Sequence, residues 1–485
     1  MTPREPNLNR ERIILLCILV LAPFLLTPWV HGDGIGSVAM LRSAVVDRDL
    51  DLADEFDYLT THIEADAGGL PGALLDKSDH TPGLDPLAHD PSPDPVTGRV
   101  PFFSTIGPPI VWAPAYAAAH AAISLGRALG ADFRNDGYGG LYYLAIALTS
   151  LACGIAGLIL AFRLALVFAP AREAMWATLS IALASPLLYY LYLAPSYCHS
   201  ITTLTSGGFF LYWWKSRGAT DSGVWFKWGL LAGLLFIVRW NDAVLAVPLF
   251  ASEIIKYVRP SAPTRHERSA ERLALCLVSA FVGFLLVASV QIAVWQYFHG
   301  RPLVRYPLSA IGFWWEGLWG TFISSRHGLF VWTPITVLAV IGLFRLVGRN
   351  KELGYVSIAT LVLLAASNCT IFDWWGGASF GMRRLISSTP ILVLGLAVFL
   401  DDTRLALARR RRNGPGEIPA RALPWHARLV APVVCLAFSI WNVLLLAQYG
   451  LGMISHVDPV SFGTIASNQP EVVERIIRIL KDLIP

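Results

Sequence analysis

The segment LALCLVSAFVGFLLVASVQIAV, Leu273 to Val294, contains no charged residue. A run near 20 apolar residues is what a helix needs to cross a hydrocarbon layer of about 30 Å. Ile13 to Val30 reads the same way, and similar runs recur along the chain. Of the 485 residues 55% are hydrophobic and 15% charged, against about 25% charged in an ordinary soluble protein. Mean hydropathy is +0.54. The apolar excess falls into spans rather than spreading evenly, and the 17 Trp and 15 Tyr suit anchoring at headgroup depth. These features imply an all-α polytopic membrane protein embedded in a lipid bilayer.

The formal net charge of +4 has no soluble basic face to act from, so nucleic acid is excluded as a partner. Cys17, Cys153, Cys276 and Cys435 lie inside apolar runs, where a thiol behaves as a small hydrophobe. Cys198 and Cys369 lie near run ends, and whether they pair is left open. No Cys or His spacing suggests zinc. Arg4, Arg10 and Arg12 precede the first run, but no small-x-small cleavage pattern follows it, so a retained first span is expected over a signal peptide.

Short basic loops stay cytoplasmic. Lys256–Arg272, Arg345–Lys351 and Arg404–Arg428 are therefore predicted inside, with His299–His327, Cys369–Gly381 and the tail after Gly450 outside. Basic residues flank Trp228–Val258 at both ends. The four residues Arg239-Trp240-Asn241-Asp242 interrupt it, which predicts two short spans turning at the outer side, where Arg and Asp can pair. Pro195 to His199 then lies outside, Arg163 to Arg172 inside. The outcome is about eleven transmembrane helices in one domain, 1–485, multi-pass in the cell inner (cytoplasmic) membrane. The N-terminus is cytoplasmic and the C-terminus extracytoplasmic. Residues 31–137 form a long first extracytoplasmic loop. Ile106–Leu125 within it is apolar, but Pro108, Pro109 and Pro114 argue for interfacial helices rather than a span. Asp66–Val100, rich in Pro and Gly, reads as irregular. The tail 451–485 carries an amphipathic helix from Pro470 to Leu483, capped by Ser467 or Asn468.

Polar residues cluster at the outer ends of the spans. Asp33 lies between Gly32 and Gly34, which let the chain turn sharply and bring a carboxylate to the membrane rim; a solvated loop acid is the plainer alternative. His199, Arg326 and His327 sit at span starts, where anchors or satisfied histidines are also common. The densest cluster runs from Phe372 through Asp373, Trp374, Trp375, Gly376 and Gly377 to Arg383 and Arg384. Arginines on the side where positive charge is avoided suggest an anionic partner such as a phosphate. The tryptophans and glycines offer flat surface and close backbone approach for a sugar or lipid head. Arg384, about 100° from Arg383 on a helix, is expected to anchor at the interface.

The order of these features resembles the GT-C class of membrane glycosyltransferases, which includes protein O-mannosyltransferases and the aminoarabinose transferase, and its less characterised bacterial branch most. The resembling elements are Gly32-Asp33-Gly34, Arg42-Ser43, the acidic Asp47 to Leu52, Gly107-Pro108-Pro109, Trp112 to Pro114, Tyr190, Pro195 to Ser200, Arg239, His327 to Phe330, and Trp374 to Arg383. The resemblance implies a GT-C-like bundle and transfer of a hexosyl or pentosyl unit from a polyprenyl-phosphate sugar donor to a glycan, lipid or protein acceptor. Asp33 would be the base. Arg383, Arg239, Asp242, His199, Arg326, His327, Asp373, Trp374 and Trp375 would bind donor phosphate and substrate. The class often has two acids where this chain has Asp33-Gly34, so the cofactor is left open: a divalent metal is possible but not required by the sequence, and no metal ligands are assigned. A transporter or flippase of lipid-linked sugars is the rival reading, and a non-catalytic membrane subunit a second; the gathering of polar residues at one rim favours chemistry there.

Overall fold

The computed structural model describes residues 7–61, 92–259, 269–304, 312–409 and 425–483. Most of the irregular segment expected at Asp66–Val100, and the basic runs 260–268 and 410–424, lie outside the described residues.

Regular structure is helical among the described residues. The chain runs through α1 (Leu8–Leu19), α2 (Gly34–Arg42), α3 (Ala53–Thr61), α4 (Gly107–Ala128), α5 (Gly140–Ala165) and α6 (Ala171–Leu183). Then come α7 (His199–Ser216), α8 (Ser222–Val238), α9 (Ala246–Val258), α10 (Ala270–His299) and α11 (Trp315–Ile323). The last five are α12 (Ile335–Arg349), α13 (Lys351–Asn368), α14 (Thr389–Arg409), α15 (Trp425–Gly450) and α16 (Gln469–Leu483). Short turns of helix join several of them. Three helices, α5, α10 and α15, are long and apolar enough to cross a membrane by length and composition. The chain is membrane-embedded. Every other expected span contains a helix, but a shorter or more polar one.

The first run departs from expectation. Ile13–Val30 is not one span. α1 stops at Leu19, a single turn follows at Ala22–Leu25 with Pro23 in its first turn, and the chain is extended from Leu26. Proline lacks the N–H an interior helix turn needs, so Pro23 is tolerated only at a start. The extended stretch docks instead: Thr27 N donates to the Tyr192 carbonyl at 2.7 Å. α4 falls on the stretch Ile106–Leu125 where interfacial helix was expected, and it is not among the helices long and apolar enough to cross a membrane. Pro108 and Pro109 fall in its first turn, where the missing N–H groups would be unpaired anyway, and the helix continues through Pro114.

The break at Arg239–Asp242 is present. α8 ends in extended backbone at Arg239, a 3₁₀ turn covers Trp240–Leu245, and α9 runs back. Trp225 at the start of α8 meets Tyr257 at the end of α9, ring centroids 6.1 Å apart. The first loop packs inward more than interfacial helices would. Every residue of α2 is buried, and Ile35, Val38, Phe56, Phe102, Trp112 and Tyr116 share a core with Tyr142, Ile201, Ile237 and Phe298 from the bundle. In the tail the helix starts at Gln469, straight after a short one at Phe462–Ser467, with Asn468 between. All six cysteines are free thiols, so Cys198 and Cys369 are not joined.

Charges sit at the two ends of the helices. At one end Arg349 pairs with Asp401 (3.0 Å) and Asp402, Arg404 with Asp401 (2.6 Å) and Glu173 (3.4 Å), and Arg163 with Glu11 (2.8 Å). α12 and α14 carry the chain from there to the opposite end, where His327 and Arg384 lie. Between the ends, close helix contacts replace polar ones. Gly229 and Gly233 of α8 face α10 so tightly that a Cβ at Gly229 would collide with the Ala280 carbonyl.

Gly229→Val is expected to lower stability by about 1–3 kcal/mol or more, the usual range for overpacking, read as the unfolding midpoint in mild detergent. Gly348→Val, at a position with nothing within 4 Å, is the control and is expected to leave it unchanged.

Candidate functional site

Gly32 has φ +51°, a left-handed conformation that glycine adopts without strain. It lets the chain turn from the extended segment into α2, and a side chain there would run into the Tyr197 hydroxyl. A Cβ at Gly34 would lie 2.5 Å from Ser196 Oγ. The two glycines thus seat the turn flat against Ser196-Tyr197 and leave Asp33 projecting between them, with 56% of its side chain exposed.

Its carboxylate meets Arg383, which comes from 350 residues further along the chain. Arg383 opens a 3₁₀ turn, Arg383–Ser388, that leads into α14. Its Nε donates to the Gly376 carbonyl at 3.0 Å, so the guanidinium is aimed by the Trp-Gly loop. The face of that guanidinium lies over the Tyr197 ring, 5.5 Å from its centroid. Gly376, Gly377 and Gly381 all have positive φ, so the loop folds back on itself to bring the carbonyl there.

The expectation for Arg384 is corrected. In a 3₁₀ turn, not an α-helix, it points into the protein rather than to the interface. Its side chain is 12% exposed, it donates to Asp373 Oδ1 at 2.6 Å, and its carbonyl accepts from Arg239 at 3.0 Å. Arg239 also faces the fully buried Asp242 at 3.4 Å. Three arginines and three aspartates from four parts of the chain are therefore assembled at one end of the bundle. His199, buried at the start of α7, lies edge-on to Tyr190 (4.3 Å) and nearly parallel to Tyr197 (6.0 Å). Neither of its ring nitrogens has a protein hydrogen-bond partner among the described residues, and all three arginines act on it electrostatically.

Arg326, His327 and Trp375 form a neighbouring group behind the loop. His327 Nδ1 donates to the Trp375 carbonyl at 3.0 Å, which fixes its tautomer. Burial pushes the imidazole down to about 4, so it is neutral. Its φ of +60° is unusual for a non-glycine residue and persists because this packing over-determines it. Arg326 stacks on the Trp375 ring at 4.3 Å and reaches Asp458 at 3.8 Å. Trp374 turns the other way. Its indole lies on Gly317 and Gly320 of α11, and its carbonyl accepts from Asn368 at 2.6 Å. It is a structural wedge, which the Gly-x-x-Gly spacing on α11 signals in hindsight. Sequence reasoning also missed Tyr197, whose contact with Gly32 only the fold reveals.

The acidic motif of the first loop is separate. Asp47, Asp54 and Glu55 come close enough together to ligate a cation. Arg42 Nη1 already donates to all three, at 2.8 Å to Glu55 and 3.3 Å to Asp54. Burial, then the neighbouring Asp54, push Glu55 up to about 9, so it is protonated at neutral pH. An arginine thus occupies the space between the three carboxyl groups.

No protein-family model matches the chain, and no curated protein matches it. Among solved structures it is similar to ArnT from Cupriavidus metallidurans bound to undecaprenyl phosphate, at 13% identity, covering 96% of this chain and 77% of that one, TM-score 0.45. The apo state of the same protein gives 12% identity, 96% and 74% coverage, TM-score 0.43. The Archaeoglobus fulgidus oligosaccharyltransferase in complex with Zn and sulfate gives 12% identity and TM-score 0.43, covering 94% of this chain and 58% of that one. Likeness at this level carries no argument about residues or chemistry.

Arg384→Ala is expected to destabilise clearly. Breaking a buried pair costs about 3–5 kcal/mol, less here because Asp373 keeps a third of its side chain exposed. Asp373→Asn added to it is expected to cost less than Asp373→Asn alone, a coupling that a double-mutant cycle on unfolding midpoints reads directly.

Proposed function

We propose that this chain is a GT-C-type membrane glycosyltransferase that moves a sugar from a polyprenyl-phosphate donor to an acceptor hydroxyl at the extracytoplasmic face. The observation that carries the reading is the Asp33–Arg383 pair: a carboxylate and a guanidinium in contact at one end of the bundle, the acid more than half open to solvent, which suits a proton acceptor beside a phosphate ligand. Soluble or purely structural ion pairs seldom need two glycines and a folded-back loop to aim them.

The acceptor oxygen attacks the anomeric carbon as the bond from that carbon to the donor phosphate oxygen breaks. The acceptor proton passes to the Asp33 carboxylate, and a positioned base of this kind contributes about 10²–10⁴-fold. The electron pair leaves with polyprenyl phosphate, whose growing negative charge Arg383 meets, with Arg239 and Arg384 adding to the field. A single displacement inverts the anomeric centre. His199 and Asp242 line the inner side of the cluster. Trp375, held by Arg326 and His327, offers its ring to the sugar or lipid head, while Asp373 and Trp374 hold the loop itself. The basic end of the bundle, with Arg163, Arg172, Arg349 and Arg404, is cytoplasmic on this reading, and the eleven expected helices cross or enter the inner membrane.

Asp33→Asn is expected to reduce transfer at least about 10²-fold while the donor still binds, because an amide keeps the shape but takes no proton. Arg383→Ala is expected to weaken donor binding and slow transfer, and Arg383→Lys to restore only part of both, since an ammonium lacks the planar two-donor grip. Radiolabelled transfer from a polyprenyl-phosphate sugar measures all three. Activity of Asp33→Asn within a few-fold of the unmodified protein removes Asp33 from the mechanism.

A further inference from the structure

Each arginine at the rim faces one aspartate: Arg383 with Asp33, Arg384 with Asp373, Arg239 with Asp242. The three pairs balance in charge, so an anionic phosphate competes with the carboxylates for the arginines. The three pairs are not equally easy to open. Asp242 keeps 1% of its side chain exposed and Asp373 34%, against 56% for Asp33. A carboxylate stripped of its partner inside the protein stays an uncompensated charge, whereas one at the surface is taken up by water.

The backbone around the exposed pair is built to stay in place when it opens. Gly32 and Gly34 are pinned against Tyr197 and Ser196, and the Arg383 Nε is held by the Gly376 carbonyl. Opening therefore needs only rotation of the short Asp33 side chain. While Arg383 holds a carboxylate oxygen, that oxygen is not available to an incoming hydroxyl.

We infer that the Asp33–Arg383 ion pair is a donor-operated latch: the lipid-linked phosphate takes Arg383 from Asp33, and the carboxylate so released becomes the base for the acceptor. The inference rests on the reading of Arg383 as phosphate ligand. It orders the reaction, with donor first and acceptor second, and keeps the base engaged when no donor is bound. A ligand shifts such an equilibrium only by its differential affinity for the two states, and here the competing aspartate supplies the difference.

The test is titration of the full-length protein in nanodiscs with a polyprenyl phosphate, followed by tryptophan fluorescence. If Asp33 competes with the phosphate, Asp33→Asn binds the lipid tighter by about fivefold, the scale of one partly exposed ion pair. Asp33→Ala is expected to match it and serves if the amide variant folds poorly. Asp373→Asn, which frees Arg384 rather than Arg383, is expected to tighten binding less than Asp33→Asn does, and Arg383→Ala to lose binding. Unchanged or weaker binding by both Asp33 variants overturns the latch; with Arg383→Ala still impaired, the phosphate reading stands without it. Equal tightening by Asp33→Asn and Asp373→Asn means a diffuse field and also overturns the latch. Undiminished binding by Arg383→Ala sinks the phosphate reading and the latch together.

Discussion

The contact between Asp33 and Arg383 ties the residues just before α2 to the last third of the chain, and much of that end of the molecule is arranged around it. A pair of opposite charges in a partly desolvated setting holds only if both partners are oriented by something else. Tyr197 and Ser196 orient one side through the glycines they touch, and the carbonyl of Gly376 orients the other. Behind these stand the buried α2 and the Trp-Gly loop, each fixed by its own packing.

The apolar slab explains where everything else goes. Lipid-facing helices cannot carry charge through their middles at tolerable cost, so acids and bases are swept to the two ends. At the end that carries Arg349 they neutralise one another in a network joining α6, α12 and α14, with a separate pair between α1 and α5. At the opposite end they do the same in three pairs, but one member, Asp33, is left more than half exposed. Between the ends, helices gain their contacts from close approach, as the glycines of α8 against α10 illustrate.

The Trp-Gly loop divides labour between neighbours. Trp374 packs inward on α11, which makes it a fixed point for the loop. Trp375 keeps its ring toward Arg326 and lends its carbonyl to His327. Arg383 and Arg384 show the same division: one reaches the exposed acid, and the other closes the cluster from within.

How much of this was legible beforehand follows from the range of the forces involved. Hydropathy and charge act locally along the chain, so the helical membrane class, the break at Arg239–Asp242 and the tail helix could be read from the residues alone. So could the special standing of Asp33 between glycines and of the arginine at the end of the Trp-Gly stretch. The sequence also misled locally. Pro23 ends the expected first span early, because a proline's effect depends on whether it falls inside a helix or in its first turn. What only the tertiary structure decided is which charges meet. Arg384 turns inward because its helix is 3₁₀ and Asp373 is waiting there, and Arg42 gathers Asp47, Asp54 and Glu55 where a metal could have been imagined. The Asp33–Arg383 pair, 350 residues apart, is set by the packing of whole helices, and no local pattern in the chain encodes it.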